Sequence, residues 1–322
     1  MKYSELKKQF VASLRGAGKG RRSLHTLFSN WLEIAAIALH QLPYQSGDLD
    51  KDTAFEAFEK NYLERIKPYS REELNAFSKL LHITTFAHHI GYGDFLGEIA
   101  SEAELLNRRG GQFFTPYHLC RAMAKMTFGD VRAHVEAKGL LLVAEPASGS
   151  GALVIASAEE IASQGVHPCS CVQFDCTDIS RDAFNMTYIQ LSALGLQAVV
   201  RHGNTLSMEF WESRPTPQLR LFDKWLKQKQ RSMRLEKALR DLLMLGDNNR
   251  NPHTSTAQEK TATASAEPMP QQNASSQDDS LPVRTTLFDL DAFSSGGAKR
   301  DRRCRKADVV LRNEQMELPL ES

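Results

Sequence analysis

A Gly-Ser-Gly turn at residues 149–151, close to the acid Glu145, is the part of this sequence that could bind a cofactor. An apolar run, Leu140 to Ala144, and the acid Glu145 precede the turn, and a run of small residues, Ala152 to Ala162, follows it. Glycines let the backbone approach a ligand closely, and the free N–H groups of a helix start attract negatively charged groups. The pattern predicts a cofactor site where a strand ends on an acid and a helix begins.

Residues 140–206 alternate between strand and helix patterns, as they must if they are to position such a site. The pattern predicts three strands and two helices: strands at Leu140 to Ala144, about Cys171 to Asp178, and Gln197 to Arg201, and helices at Ala152 to Ala162 and Ser180 to Leu194. This alternation favours a parallel sheet with helical crossovers. Asp178 then ends the second strand, where a nucleotide-binding sheet places an acid that holds ribose hydroxyls.

The segments before the turn are predicted to be mostly helical. We expect a basic flexible arm over residues 1–23 and a helical domain over 24–107, whose apolar residues recur at three- and four-residue steps. The predicted helices include Thr53 to Ile66, Arg71 to His88 and Asp94 to Leu106. A glycine break follows, after which Thr115 is predicted to cap a helix that starts at Pro116.

The segments after the sheet are predicted to be a basic amphipathic helix over residues 212–245 and a disordered linker and tail over 246–322. The net charge of +1 gives no general attraction to nucleic acid, so a DNA contact would require a local basic surface such as this helix. No apolar run is long enough to span a membrane, and five cysteines in no usual metal spacing favour reduced thiols. We therefore expect a cytoplasmic protein without a metal site.

Four motifs in order resemble the adenine-specific N-6 DNA methyltransferases, especially modification subunits of type I restriction systems and methylases of mobile elements. They are G-Q-F-F-T-P at 111–116, E-P-A-S-G-S-G at 145–151, the acid Asp178 in T-D-I-S, and H-G-N-T-L at 202–206. The match covers roughly residues 94–210, and its ordered spacing is more specific than any single motif. Glu145, Ser148 and Asn204 replace the commoner Asp, Cys and Asp of the family.

The resemblance implies an α/β fold with the Rossmann-like core of class I S-adenosylmethionine-dependent methyltransferases. It also implies S-adenosylmethionine as the cofactor. Asp178 would bind its ribose hydroxyls, Asn204 would lie near its adenine, and Thr115 and Pro116 would contact its methionine part. The full set of cofactor-binding residues implied by the resemblance is Phe114, Thr115, Pro116, Glu145, Pro146, Ser148, Gly149, Gly151, Asp178 and Asn204.

The family's N-P-P-aromatic or D-P-P-aromatic motif, which binds the target amine and stacks on the flipped base, does not occur in the sequence. The catalytic residues are therefore left unassigned, with Phe210 and Trp211 as candidate stacking rings. Two hypotheses stand nearly even: an adenine-N6 DNA methyltransferase, or an inactive accessory protein that binds S-adenosylmethionine and DNA. Methyl transfer to RNA or protein is a third, weaker hypothesis.

The expected partners are DNA and a specificity or other subunit, because no target-recognition domain is evident. The sequence Q-L-R-L-F at 218–222 also resembles a peptide that binds the replication sliding clamp. Gln218, Leu219, Leu221 and Phe222 would carry that contact. The alternative, which we favour, is that these residues simply begin the amphipathic helix.

Overall fold

A computed structural model describes residues 2–18, 22–105, 114–247 and 285–286 of the chain. Residues 111–113 of the first family motif lie outside the described residues, as do nearly all of the predicted linker and tail. The described elements combine helices with one sheet, so the predicted mixed α/β class is confirmed. The helices are α1 Tyr3–Gly18, α2 Leu24–Gln45, α3 Thr53–Ile66, α4 Arg71–Ile90, α5 Phe95–Glu102, α6 Tyr117–Thr127, α7 Val131–Lys138, α8 Ala152–Ser163, α9 Pro168–Cys171, α10 Arg181–Ala193 and α11 Pro217–Asp247.

Helix α1 replaces most of the predicted flexible arm. Leu6, Phe10 and Leu14 recur every four residues along it, and each is fully buried against the rest of the helical layer. Phe10 packs edge-on against the rings of Phe28 and Trp31. The expectation of a flexible arm is therefore wrong for residues 3–18, because burial of this apolar face outweighs the basic composition that suggested disorder.

The sheet has the strand order β4-β3-β2-β1-β5. Its strands are β1 Leu141–Glu145, β2 Val172–Asp178, β3 Gln197–Asn204, β4 Glu209–Pro215 and the two-residue β5 Thr285–Thr286. Strands β1, β2 and β3 run parallel, with Glu145 opposite Cys176 and Asp178 opposite His202. Their carboxyl ends therefore meet at one edge of the sheet, and the predicted residues Glu145 and Asp178 lie there.

The helices that precede β1 pack against the helices that connect the parallel strands. The helical layer and the sheet share one hydrophobic core. Helix α6 packs against α8, while α2 and α4 pack against α10. The core runs from Phe10 and Trp31 of the helical layer to Val143 and Phe174 of the sheet. The sheet edge that carries the acids is thus held by helices that are distant from it in sequence.

Strand β4 was not predicted. It pairs antiparallel with β3 and contains a bulge opposite His202 and Gly203. Helix α11 follows it and contains most of the basic helix predicted over 212–245. The predicted start is wrong, because residues 212–215 pair with β3 as part of β4 and the helix begins at Pro217. Among the described helices, none has a stretch that is both long and apolar enough to span a membrane.

Candidate functional site

The Gly-Ser-Gly turn is tied to the second strand by backbone hydrogen bonds. The N–H of Ser148 donates to the carbonyl of Thr177 at 2.9 Å, and the N–H of Gly149 donates to Oδ2 of Asp178 at 2.8 Å. Gly149 and Gly151 have φ angles of +57° and +95°, a region that side chains disfavour. The two glycines are therefore required by the turn itself, which brings the end of β1 against the end of β2.

Glu145 ends β1, and among the described residues only one of its two carboxylate oxygens has a hydrogen-bond partner. Its side chain is buried, with 7% exposed, and Oε1 accepts a hydrogen bond from the N–H of Ala147 at 3.0 Å. Oε2 is buried and has no hydrogen-bond partner within the described part of the chain. Burial raises the pKa of Glu145, and the charge of Asp178 raises it further. An orphaned carboxylate oxygen of this kind is costly, and a cationic or hydrogen-bonding ligand would satisfy it.

Asp178 ends β2 with both carboxylate oxygens accepting hydrogen bonds. Oδ2 accepts from Gly149 and Oδ1 accepts from the N–H of Ser180 at 2.8 Å. Burial raises the pKa of Asp178, and these backbone donors oppose the rise. Each oxygen keeps a second lone pair, so the carboxylate can still accept two hydroxyl groups of a ligand.

Phe114, Thr115 and Pro116 precede α6. Phe114 packs on the core, and a Cβ added at Gly149 would lie 3.2 Å from its ring, so the turn and this ring are in close contact. Thr115 and Pro116 are exposed. The predicted cap is wrong, because Pro116 is the residue before the helix and no side chain caps it. Pro116, with its fixed φ angle, lies just before α6 instead of being the first residue of the helix.

Asn204 ends β3 and organises the turn that follows. Its Oδ1 accepts from the N–H groups of Leu206 at 3.0 Å and Ser207 at 3.4 Å. The neighbouring Thr205 donates its hydroxyl to the carbonyl of Pro146 at 2.7 Å. The turn after β3 is thus bonded to the turn after β1, while the Asn204 amide nitrogen is left for other contacts.

Sequence reasoning missed one feature of this edge, Thr187, and named another, Trp211, as a candidate stacking ring. Thr187 of α10 donates its hydroxyl to the carbonyl of Gly149 at 2.9 Å, so it supports the turn from behind. Trp211 lies in the β4 bulge with 57% of its surface exposed, and its ring meets that of His202 edge-on with centroids 4.8 Å apart. Thr187 carried no motif signal, whereas the H-G-N-T-L motif could have pointed to the neighbourhood of His202.

The sliding-clamp residues occupy the start of α11. Gln218, Leu219, Leu221 and Phe222 all fall inside this helix, and Leu219 is buried with 7% exposed. A peptide that must leave a helix and expose a buried leucine is poorly available for a partner.

A glycine turn between acids at the ends of neighbouring parallel strands is typical of α/β proteins that bind a cofactor in the crevice beyond the strand ends. Within this arrangement, residues 91–224 match the family model described as N-6 DNA methylase. The family match confirms the resemblance predicted from the four motifs.

No curated protein matches the chain. A solved structure described as the cryo-EM structure of a DrdV–DNA complex is similar over 60% of this chain, with 15% identity and a TM-score of 0.27. The similar region covers 23% of that longer chain.

Proposed function

We propose that this protein is an S-adenosylmethionine-dependent methyltransferase that modifies adenine N6 in DNA. The observation that carries the proposal is the buried, unpartnered Oε2 of Glu145 beside Asp178, inside the segment that matches the N-6 DNA methylase family. The charge of Asp178 makes ionisation of Glu145 more costly, and a positively charged ligand would offset that cost. We place the protein with restriction-modification or mobile-element methylases, with a Rossmann-like core.

The residues at the strand ends fit this cofactor. Asp178 would accept the ribose hydroxyls, and Oε2 of Glu145 would face the cationic end of the molecule. Helix α8 begins at Ala152, after Gly151, and has no acid in its first turn, so its N–H groups can receive the methionine carboxylate. Phe114, Thr115, Pro116, Pro146 and Ser148 would complete the cradle, and Asn204 would offer its amide to the adenine.

When bound, S-adenosylmethionine supplies a methyl group on a positively charged sulfur. The chain's own residues would hold that group and present it to the DNA base. The buried carboxylate of Glu145 would stabilise the positive charge, because an electrostatic contact is stronger at a buried site than in water. The tight turn would hold the cofactor in one position relative to the strand ends, which would lower the entropic cost of the reaction.

The acceptor side of the site is proposed to involve β4. Trp211 is exposed in a bulge at the same edge of the sheet as Asn204, and Phe210 beside it is 40% exposed. Bulges often re-aim side chains next to active sites, and an exposed indole can stack on a base turned out of the duplex. A specificity or other partner subunit is proposed to select the target sequence.

Incubation with tritiated S-adenosylmethionine and DNA from a methylation-free host tests the proposal. We expect label in DNA and, after digestion to nucleosides, in N6-methyladenine. The Asp178→Asn variant, which keeps the shape of the side chain, should lose the label. Cofactor binding with no label in DNA, with or without co-expressed neighbouring subunits, would reject the transferase. Failure to bind the cofactor at millimolar concentration would reject the whole site.

A further inference from the structure

A buried acid outside the cofactor cradle contacts the Gly-Ser-Gly turn from the helical layer. Asp94, the residue before α5, is 2% exposed. Its Oδ2 accepts the hydroxyl of Ser150 at 2.6 Å, and its Oδ1 accepts the side-chain amide of Gln190 at 2.8 Å. Oδ1 also accepts the N–H of Gly97 at 3.1 Å. The carboxylate therefore joins α5, α10 and the turn at one point.

Gln190 of α10 closes the same network. Its amide nitrogen also donates to the carbonyl of Ser150 at 2.7 Å, and its Oε1 accepts the N–H of Leu96 at 3.0 Å. Both polar groups of Ser150, the hydroxyl and the carbonyl, are thereby fixed by residues of two different helices. Nε2 of His88 lies 3.2 Å from Oε1 of Gln190 and donates a hydrogen bond to it, since an amide oxygen can only accept. Burial lowers the pKa of His88 to about 4, which keeps the ring neutral.

The absence of a side chain at Gly97 is part of the contact. A Cβ added there would lie 2.0 Å from Oδ2 of Asp94 and 2.5 Å from the hydroxyl of Ser150. Even the smallest side chain would force these two groups apart. Gly97 is helical and has no unusual φ angle, so its role is to leave room for the Asp94–Ser150 bond.

We propose that Asp94 is a positioning residue that sets cofactor affinity by fixing the Gly-Ser-Gly turn, an inference that rests on the proposed function. Ser150 lies between Gly149, whose N–H donates to Asp178, and Gly151, the residue before α8. A turn held at Ser150 keeps those backbone groups aimed at the ligand before it arrives, so less order must be imposed on binding. Asp94 itself touches no ligand in this arrangement.

Calorimetric titration of S-adenosylmethionine into wild type, Asp94→Asn, Ser150→Ala and the double variant tests the inference. Because the Asp94–Ser150 bond is a short, charge-assisted one, each single variant should weaken affinity by roughly tenfold or more. The double variant should be no weaker than the poorer single variant, since both remove the same bond. Gly97→Ala should give a similar loss while leaving both polar residues in place.

A matched control and a readout without ligand separate positioning from general loss of stability. Glu73→Gln makes the same acid-to-amide change at a buried acid of α4 that contacts Ser70 and Arg22 instead of the turn, and it should bind like wild type. Hydrogen exchange of the ligand-free protein should rise in the peptide containing residues 145–156 for Asp94→Asn and Ser150→Ala, and stay unchanged there for Glu73→Gln.

The possible failures are distinguishable. Wild-type affinity in the single variants, or additive losses in the double variant, would overturn the role of Asp94 and leave the proposed function standing. A wild-type protein that does not bind the cofactor would overturn the proposed function and the cofactor role of Asp94 together. Increased exchange of the turn would then still support the part of the inference that concerns the turn alone.

Discussion

Glu145 and Asp178 end neighbouring strands and are close enough for the charge of Asp178 to raise the pKa of Glu145. Both carboxyl groups are already costly to ionise because they are buried. Oε2 of Glu145 has no partner among the described residues, and a buried carboxylate oxygen without a partner destabilises a fold unless a ligand compensates for it. At the scale of single residues, the site therefore favours a ligand that carries positive charge and hydroxyl groups.

Replacing Asp178 by Asn should weaken binding of S-adenosylmethionine by about 100-fold, because hydrogen bonds from ribose hydroxyls to a charged acceptor are lost. Isothermal titration calorimetry measures the effect. Asp175→Asn is the matched control, because Asp175 lies on the same strand and pairs with Arg201 instead of facing the turn. Equal affinity losses in the two variants would contradict a ribose-binding role for Asp178.

The raised pKa values of Glu145 and Asp178 predict that cofactor affinity falls in acid. Below their raised pKa values both groups are protonated, and a cation must displace those protons to bind. Titrations from neutral pH down to about pH 5 should show S-adenosylmethionine losing affinity more steeply than S-adenosylhomocysteine, whose sulfur is neutral. The difference between the two ligands should shrink in Glu145→Gln.

The raised pKa values of Glu145 and Asp178 affect the stability of the fold in the opposite direction from cofactor affinity. A carboxyl group whose pKa is raised in the folded state stabilises the fold at pH values below its unfolded pKa, and this contribution is lost as the pH rises through the folded value. Acid should therefore weaken the cofactor complex without weakening the fold through these two groups. If affinity for S-adenosylmethionine and for S-adenosylhomocysteine falls equally steeply with pH, Glu145 and Asp178 do not face the sulfur.

At the scale of elements, α3 and β1 were predictable from the sequence, whereas α1 and β4 were not. Helix α3 has the predicted bounds, Thr53 to Ile66, and β1 begins and ends one residue later than predicted. Both have clear apolar patterns and local end signals, including the Asp52 cap of α3. Strand β4 is polar and exposed over much of its length, and only its pairing with β3 defines it.

The candidate site divides in the same way. The acids and glycines of the cradle stand next to each other in sequence motifs, so they could be named before the structure was known. Asp94, Thr187 and Gln190 reach the turn from α10 and from the start of α5, and no local pattern announces such contacts. Only packing of the helical layer on the sheet brings them there.

The bulge of β4 gives a prediction for the acceptor side. Trp211→Ala should lower methyl transfer to DNA by about 5- to 150-fold, the range expected from losing base stacking worth about 1–3 kcal/mol. Affinity for S-adenosylmethionine should stay within about twofold, because Trp211 is separated from the turn by β3. Trp211→Phe retains a ring and should recover most of the activity in the same tritium assay. A loss of cofactor affinity that matches the loss of transfer would assign Trp211 to the cofactor instead.

At the scale of the whole molecule, an ion-pair network joins the helical layer to the sheet. Glu33 of α2 is 4% exposed and accepts two hydrogen bonds from Arg181 of α10, at 2.5 and 2.8 Å, and one from Asn185 at 2.9 Å. Arg181 also pairs with Glu212 of β4. The network connects the N-terminal helices with the helix that directly follows Asp178, so the two layers cannot separate without exposing it.

This network predicts a loss of stability in acid. Burial alone would raise the pKa of Glu33, but hydrogen bonds from Arg181 and Asn185 outweigh it and lower the pKa to about 2. The stabilisation is therefore complete above the ordinary glutamate pKa of about 4.5 and is lost as the pH falls toward 2. Denaturant unfolding should show Glu33→Gln less stable than wild type by about 1–3 kcal/mol at neutral pH, with a smaller decline in acid. Arg65→Gln, which removes a more distant and exposed partner at 3.7 Å, should behave nearly like wild type.

Exposed basic side chains of α11 form a candidate DNA-binding surface. The chain's net charge is only +1, yet α11 exposes Lys227, Arg231 and Arg234 close together in sequence. If this helix contacts DNA phosphates, changing these three residues to Gln should weaken binding to all sequences alike. Binding releases fewer counterions for each phosphate contact that is removed. The slope of log affinity against log salt concentration should therefore become shallower by about 0.9 per lost contact.

Fluorescence anisotropy with labelled duplexes over a range of salt concentrations measures that slope. The matched control changes three exposed lysines of the helical layer, Lys60, Lys67 and Lys79, to Gln. It makes the same change in net charge, so an effect of total charge would appear in both proteins, whereas a contact through α11 would appear only in the first. Equal slopes in the two variants would reject α11 as the DNA-binding surface.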